Sequence, residues 1–251
     1  MTLDFDVERL TEAVAENDEH HHESMRTLGG DLRDLHAESR RAVGGASRRD
    51  FLIRSAVAAT TLTVGTQVLP MGRLFTGIAS AQVLTDADIA AFAASLEFTV
   101  VNAYSAIAAS GKVPDQPVAD AMASFSTQHQ AHGDAFTSLS TGKITPNTVN
   151  PTLQTALATQ LGQAVDEMGV VRLALGMENA AAATYQFALG ALETLQYRQL
   201  TASIMPIEAG HAAVLGQIVF GGDPKKDLEK VWLPPFQTQA GFVDPAKNPV
   251  A

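Results

Sequence analysis

Residues 201–214 read TASIMPIEAGHAAV, and residues 124–136 read SFSTQHQAHGDAF. Both are apolar enough for a buried helix, yet each carries a pair of ionisable side chains three residues apart: Glu208 with His211, and His129 with His132. Positions three apart share one face of an α-helix, so each pair projects together. Burying a carboxylate without a partner is strongly unfavourable, and the surrounding sequence supplies company for these groups. Glu97 lies within SLEFTVV (95–101) and Glu178 within LGMENAAAA (175–183), again near the middle of apolar helical runs.

The four stretches form a repeat. Glu97 is followed seven residues later by Tyr104, and Glu178 seven residues later by Tyr185. Glu97 precedes His132 by 35 residues and Glu178 precedes His211 by 33. Two helical hairpins with matching polar positions place three carboxylates and three imidazoles at one level. A divalent cation relieves the mutual repulsion of the carboxylates, and mixed oxygen and nitrogen donors suit iron, manganese or zinc better than calcium or magnesium. The only histidines after residue 81 are His129, His132 and His211.

The flanking residues set the helix boundaries. From Gln82 to about Phe220 apolar residues recur at three and four, and no alternating strand run appears. Thr85 with Asp88 forms an N-terminal capping box for a helix reaching Gly111. Pro117 suits the first turn of a second helix ending near Gly142, and a loop spans Lys143 to Val149. Asn150-Pro151 opens a short segment leading into a long helix over 163–192. A fourth helix spans 194–220, with Pro206 inside it to kink the chain and stop signals at Gly221-Gly222-Asp223-Pro224. Met122, Met168, Met177 and Met205 read as core fillers. The fold class is therefore all-α: an antiparallel four-helix bundle over 82–221, with an extended C-terminal tail at 222–251 anchored by Trp232 and Phe236.

Upstream, residues 1–46 form a polar leader containing Glu19-His20-His21-His22-Glu23, a cluster that reads as solvated. Residues 47–81 differ again. Arg48-Arg49, then Phe51-Leu52 and a mildly apolar run, resemble a twin-arginine export signal, and Ala79-Ser80-Ala81 fits cleavage after Ala81. A bilayer span needs about 20 apolar residues, whereas the run between Arg54 and Arg73 is interrupted by Thr, Gln, Ser, Gly and Pro. The expected localisation is thus exported, either periplasmic or extracellular at the cell envelope, with the membrane engaged only transiently through this segment.

Composition excludes other classes. The chain has 251 residues, 46% hydrophobic and 18% charged, with a formal charge of −10. An acidic chain of this kind lacks the basic face that nucleic acid requires. It has no cysteine, which removes disulfides, thiolate metal sites and thiol chemistry.

Taken together, the motifs resemble the ferritin-like proteins of the carboxylate-bridged di-iron class, and within it the exported bacterial branch related to desiccation-associated proteins. The family pattern is one Glu from each of two helices and Glu-x-x-His from each of the other two. Glu97 and Glu178 match the single glutamates, Glu208 with His211 matches one Glu-x-x-His, and His132 matches the second histidine. The resemblance implies an iron cofactor, with manganese or zinc as alternatives. It implies Glu97, Glu178, Glu208, His211 and His132 as ligands. His129, paired with His132 on one helix face, joins them in the expected set, and Tyr104 and Tyr185, two turns from the glutamates, are expected to donate to ligand carboxylates. The chain departs from the pattern at His129, where the family has Glu. Four glutamates neutralise two ferrous ions; three leave +1, and imidazole does not bridge two metals as carboxylate does. A single metal, or a pair of unequal affinity, is the expectation.

Two functions follow from these features. One is an exported non-haem iron protein with slow ferrous oxidation or other oxidoreductase activity. The other is a non-enzymatic metal-binding or stress-protection protein with a degenerate site. Expected partners are the twin-arginine translocase during export and a second copy of the chain in a homodimer.

Overall fold

The computed structural model describes residues 6–42, 63–64, 67–68 and 85–220, with side chains described over 6–26 and, Phe187 apart, over 85–220. The chain is all-helical in its domain: α1 (Val7–Ala42), α2 (Asp86–Ser110), α3 (Gln116–Leu139), α4 (Pro151–Gln163), α5 (Glu167–Ala191) and α6 (Leu195–Phe220). The extended pairing among the described residues is one antiparallel contact of β1 (Thr63–Val64) with β2 (Gln67–Val68), in register Thr63 to Val68, and β1 touches α5. The twin-arginine residues Arg48, Arg49, Phe51 and Leu52, the cleavage position Ala81, and the tail with Trp232 and Phe236 lie outside the described residues.

The helix ends follow from capping chemistry. At α2 the Thr85 hydroxyl accepts from the Asp88 N–H, while the Asp88 carboxylate accepts from the Thr85 N–H at 2.8 Å. Gly111 closes α2 in the left-handed conformation at φ 64°, which glycine adopts without steric cost. Pro117 occupies the first turn of α3, as expected. That helix stops at Leu139, three residues short of Gly142, because Thr141 (φ 55°) and Gly142 (φ 82°) both turn left-handed. The short helix is a separate element, α4, started by the Asn150 side chain accepting from the Leu153 N–H. Asp166, accepting from the Gly169 N–H, then begins α5 at 167 rather than 163. Asp86 reaches across to accept from the N–H groups of Glu193 and Thr194, which ties the start of α2 to the turn before α6. Lys112 donates to the carbonyls of Leu161 and Ala164, capping the end of α4.

Packing places α2 on α3 and α5 on α6, with further contacts of α2 to α5 and α3 to α6; α4 lies against α2 and α5. The helices carry two apolar clusters. One contains Val100 and Ile107 of α2, Met122 and Phe125 of α3, Val171 of α5 and Leu215 of α6. The other contains Phe92 and Phe98 of α2, Phe136 of α3, Tyr185 of α5, and Leu200 and Ile204 of α6. On α3, α5 and α6 the site's ionisable positions fall between the two clusters, and on α2 Glu97 sits at their boundary, next to Phe98. Close approach at this level uses Gly133, where a Cβ would come within 2.6 Å of the Phe98 ring. Met122 and Met177 are buried core residues, and Met205 packs against the second cluster.

The leader departs from its reading as solvated. Residues 7–42 form one helix, α1, packed on α6 and α3. Of the histidine cluster, His20 and His22 are exposed, but His21 is buried, as are Leu10 and Asn17. The correction has a physical cause: α1 docks through hydrogen bonds, which composition does not reveal.

The capping box should be measurable. Asp88 is held down to about 2 by the Lys143 ammonium at 2.7 Å and by the Thr85 donors. Asp88→Ala should lower the unfolding free energy by about 1 kcal/mol in urea titrations at pH 7. A depressed carboxylate stabilises the fold above its ordinary pKa and loses that contribution as pH falls through its folded value. The difference between wild type and variant should therefore vanish as pH drops from 4 to 2.

Candidate metal centre

The six ionisable side chains picked from sequence converge. Glu97 comes from α2, His129 and His132 from α3, Glu178 from α5, and Glu208 and His211 from α6, and all are buried. Two overlapping groups can each hold a metal ion, Glu97–His129–His132–Glu208 and His129–Glu178–Glu208–His211, with the donor atoms of each group within 4.8 Å of one another. His129 and Glu208 belong to both.

His129 occupies the middle. Its Nδ1 lies 2.6 Å from Glu97 Oε2, and its Nε2 lies 3.1 Å from both oxygens of Glu178 and 3.6 Å from Glu208. The outer histidines both turn Nδ1 inward. His132 Nδ1 is 2.8 Å from Glu208 Oε1, and His211 Nδ1 is 3.2 Å from Glu178 and 3.4 Å from Glu208. The phenols expected to support the carboxylates do so crosswise: Tyr104 of α2 donates to Glu178 of α5, and Tyr185 of α5 donates to Glu97 of α2. Each hairpin thereby braces the carboxylate of the other.

Glu208 is different. Neither of its oxygens has a hydrogen-bond partner among the described residues, and His132 Nδ1 lacks one too, although the two groups face each other at 2.8 Å. Buried polar atoms left in this way are costly. A ring nitrogen lone pair and a carboxylate converging off the hydrogen-bond axis are what a cation between them requires. The donor set fits a metal ion.

The electrostatics agree. Burial would lower the His129 pKa, but the charges of Glu208, Glu178 and Glu97 outweigh it and hold the ring well above its usual value. His211 is likewise raised against burial by Glu178 and Glu208. Glu178, despite burial, is held well below the ordinary carboxylate range by His129 and His211. Burial pushes Glu97 up, with the Glu208 charge adding to it, and burial also raises Glu208. His132 is lowered to about 3 by burial and by the neighbouring His129 and His211 charges, against the pull of Glu97. The interior thus holds two rings that favour their protonated form and one that stays neutral.

Three residues at the site, Gln128, Asn17 and Asp18, were missed by sequence reasoning, and His21 was noticed only as part of a cluster read as solvated. Gln128, buried on α3, accepts from His211 Nε2 at 2.9 Å. Behind it stand Asn17, Asp18 and His21 of α1, with His21 Nδ1 3.2 Å from His132 Nε2. The only sequence signal for Gln128 is its position beside His129 in an apolar run. Those on α1 carry none beyond spacing.

Residues 85–220 match the family model of the ferritin-like domain. The chain belongs to the ferritin-like domain family. No curated protein and no solved structure matches it.

The protonated rings give the metal-free protein a definite pH dependence. A group whose folded pKa is raised stabilises the fold fully below its unfolded value, and that contribution is lost as pH rises through the folded value. His129 and His211 carry this sign above their ordinary value of 6.5, and Glu97 and Glu208 above theirs of 4.5. Thermal melts in chelator should therefore show a falling Tm between pH 7 and 9, and His129→Gln should flatten that slope.

Proposed function

We propose that this chain is an exported ferritin-like protein whose four long helices form an antiparallel bundle around a non-haem iron site of the carboxylate class. The observation that carries the reading is the pair of overlapping four-donor groups, with both Glu208 oxygens and His132 Nδ1 lacking hydrogen-bond partners. The antiparallel arrangement is supported by the order of the two apolar clusters, which reverses between α2 and α3 and again between α5 and α6. Export rests on the Arg48-Arg49-x-Phe51-Leu52 motif and the Ala79-Ser80-Ala81 ending.

In this reading Glu208 is the shared ligand between the two positions. Glu97 with His132 completes one position and Glu178 with His211 the other. Bound iron supplies one-electron redox chemistry, with ferrous oxidation the reaction that best suits such a donor set; manganese or zinc would fit the same donors. The chain's own part is to brace two of the carboxylates, Glu178 through Tyr104 and Glu97 through Tyr185, and to keep the site dry. His129 limits it: the ring sits where the family's fourth carboxylate would bridge, so one ion per chain is held tightly.

One observation favours a second reading. The His129 ring reaches carboxylates with both nitrogens and favours its protonated form, so an imidazolium can serve as the internal cation of a metal-free core. This is the stress-protection alternative.

Metal analysis of protein produced in iron-supplemented medium separates the two. The wild type should carry close to one ion per chain, His129→Glu should raise this towards two and speed ferrous oxidation, and His211→Ala should lose most of it. No metal in any of the three would leave the imidazolium core as the answer. For export, Arg48→Lys combined with Arg49→Lys should retain the protein in the cytoplasm, as read by fractionation and immunoblotting; unchanged accumulation outside would overturn that part.

A further inference from the structure

Helix α1 meets the site at two points, both on the outer nitrogens of the histidines. On one side His21 Nδ1 lies 3.2 Å from His132 Nε2. On the other, His211 Nε2 faces Gln128 Oε1 at 2.9 Å, and the Gln128 amide donates to Asp18 Oδ1 at 2.9 Å. Asn17 Nδ2 also donates to Gln128 Oε1, at 3.3 Å. The docking is close: a Cβ at Gly210, between Glu208 and His211, would overlap the Asn17 side-chain oxygen. Ser24 donates to the Ser203 carbonyl at 2.9 Å, next to the Ala202 carbonyl that Pro206 leaves without its helical donor. Leu10 completes the contact by entering the first apolar cluster.

These bonds have a direction. The Asp18 carboxylate only accepts, so it fixes the Gln128 amide with NH₂ outward and Oε1 inward. That oxygen in turn requires the proton of His211 to sit on Nε2, which leaves Nδ1 towards Glu178 and Glu208 as the donor atom for a cation. At His132 the Nδ1 that faces Glu208 acts as a ligand only if Nε2 carries the proton, and His21 Nδ1 is the acceptor that takes it. Ligand histidines are oriented by the group on their other nitrogen. Here both orienting contacts lead to one helix outside the family-matched region.

We propose that α1 is the outer layer of the metal centre, with Asp18 and His21 acting as positioning residues that fix the tautomers of His211 and His132. It rests on the metal-site reading given above. The consequence is that a cation is held tightly only while α1 is docked, so removal of the segment preceding residue 82 loosens the site rather than merely trimming the chain.

Cobalt(II) is the probe, on the full chain, because its visible spectrum reports ligand geometry as well as occupancy. Asp18→Ala and His21→Leu should each weaken cobalt binding about 10–100-fold in chelator competition and shift the visible bands. His21→Asn, which keeps an acceptor near the Nδ1 position, should restore affinity to within a few-fold. Glu12→Ala, exposed on the same helix, should change neither. Should His21→Leu not fold, Asp18→Ala at its half-exposed position carries the test. Wild-type cobalt affinity and spectrum in Asp18→Ala would overturn the proposal, as would equal loss in His21→Leu and His21→Asn. Absence of cobalt binding by the wild type would instead overturn the metal-site reading itself.

Discussion

Three carboxylates buried between apolar clusters require positive charge, and the rest of the molecule is arranged to meet that requirement. Glu97, Glu178 and Glu208 come from three helices, so their meeting fixes the relative register of α2, α5 and α6, and the imidazoles of α3 fix the fourth. A shift of one helical turn, about 5.4 Å, would strand a carboxylate in hydrocarbon on either side. The two apolar clusters therefore act as clamps, and the cross-braced phenols of Tyr104 and Tyr185 couple the hairpins. The end caps at Asp86, Asp88 and Asp166 serve the same purpose at a distance, because a frayed end would let a helix slide.

His129 changes what that constraint produces. A carboxylate in its place adds a fourth negative charge and demands two divalent ions. A ring that reaches Glu97 with one nitrogen and Glu178 with the other can carry the charge itself. In the proposed reading the same interior is held together in either of two ways, by a proton on His129 or by a cation on the outer donors. Glu208, common to both four-donor groups and hydrogen-bonded by neither oxygen, is where the difference between these states is felt. A raised imidazole and a metal are competitors for the same carboxylates, so metal affinity should be read as an exchange of cations rather than as filling of a neutral pocket.

The domain was largely legible in the sequence, because its signals are local and its anomalies are chemical. Thr85 with Asp88, Pro117, Asn150-Pro151 and the three-and-four spacing mark the helices, and ionisable residues in apolar runs mark the interior level where they meet. The ends were less legible: α3 stops early on two left-handed residues, and Asp166 rather than Gln163 begins α5. Helix α1 was read as solvated because its buried stripe is mostly polar. Leu10, Asn17, His21 and Ser24 follow helical spacing along one face, with Ala13 and Val14 beside them, but only Leu10 and Val14 of these are large and apolar. A pattern search for hydrophobic periodicity passes over a helix that docks through an amide, an imidazole and a hydroxyl.

That polar character has an energetic consequence. A hydrogen bond contributes only about 0.5–1.5 kcal/mol when made, but a buried donor or acceptor left unmatched costs about 1–3 kcal/mol. In the proposed reading, docking of α1 depends on whether His132, His211 and Gln128 present the right atoms, beside the apolar contact made by Leu10, Ala13 and Val14. Coupling of this kind is reciprocal: a cation that orders the two histidines strengthens the docking of α1 by the same factor that docked α1 strengthens the hold on the cation. A helix attached mainly by apolar contacts would stay bound whatever the state of the interior. One attached through the ligands' own outer nitrogens reports that state, and at Gly210, where no side chain could be accommodated, α6 leaves room for it to do so.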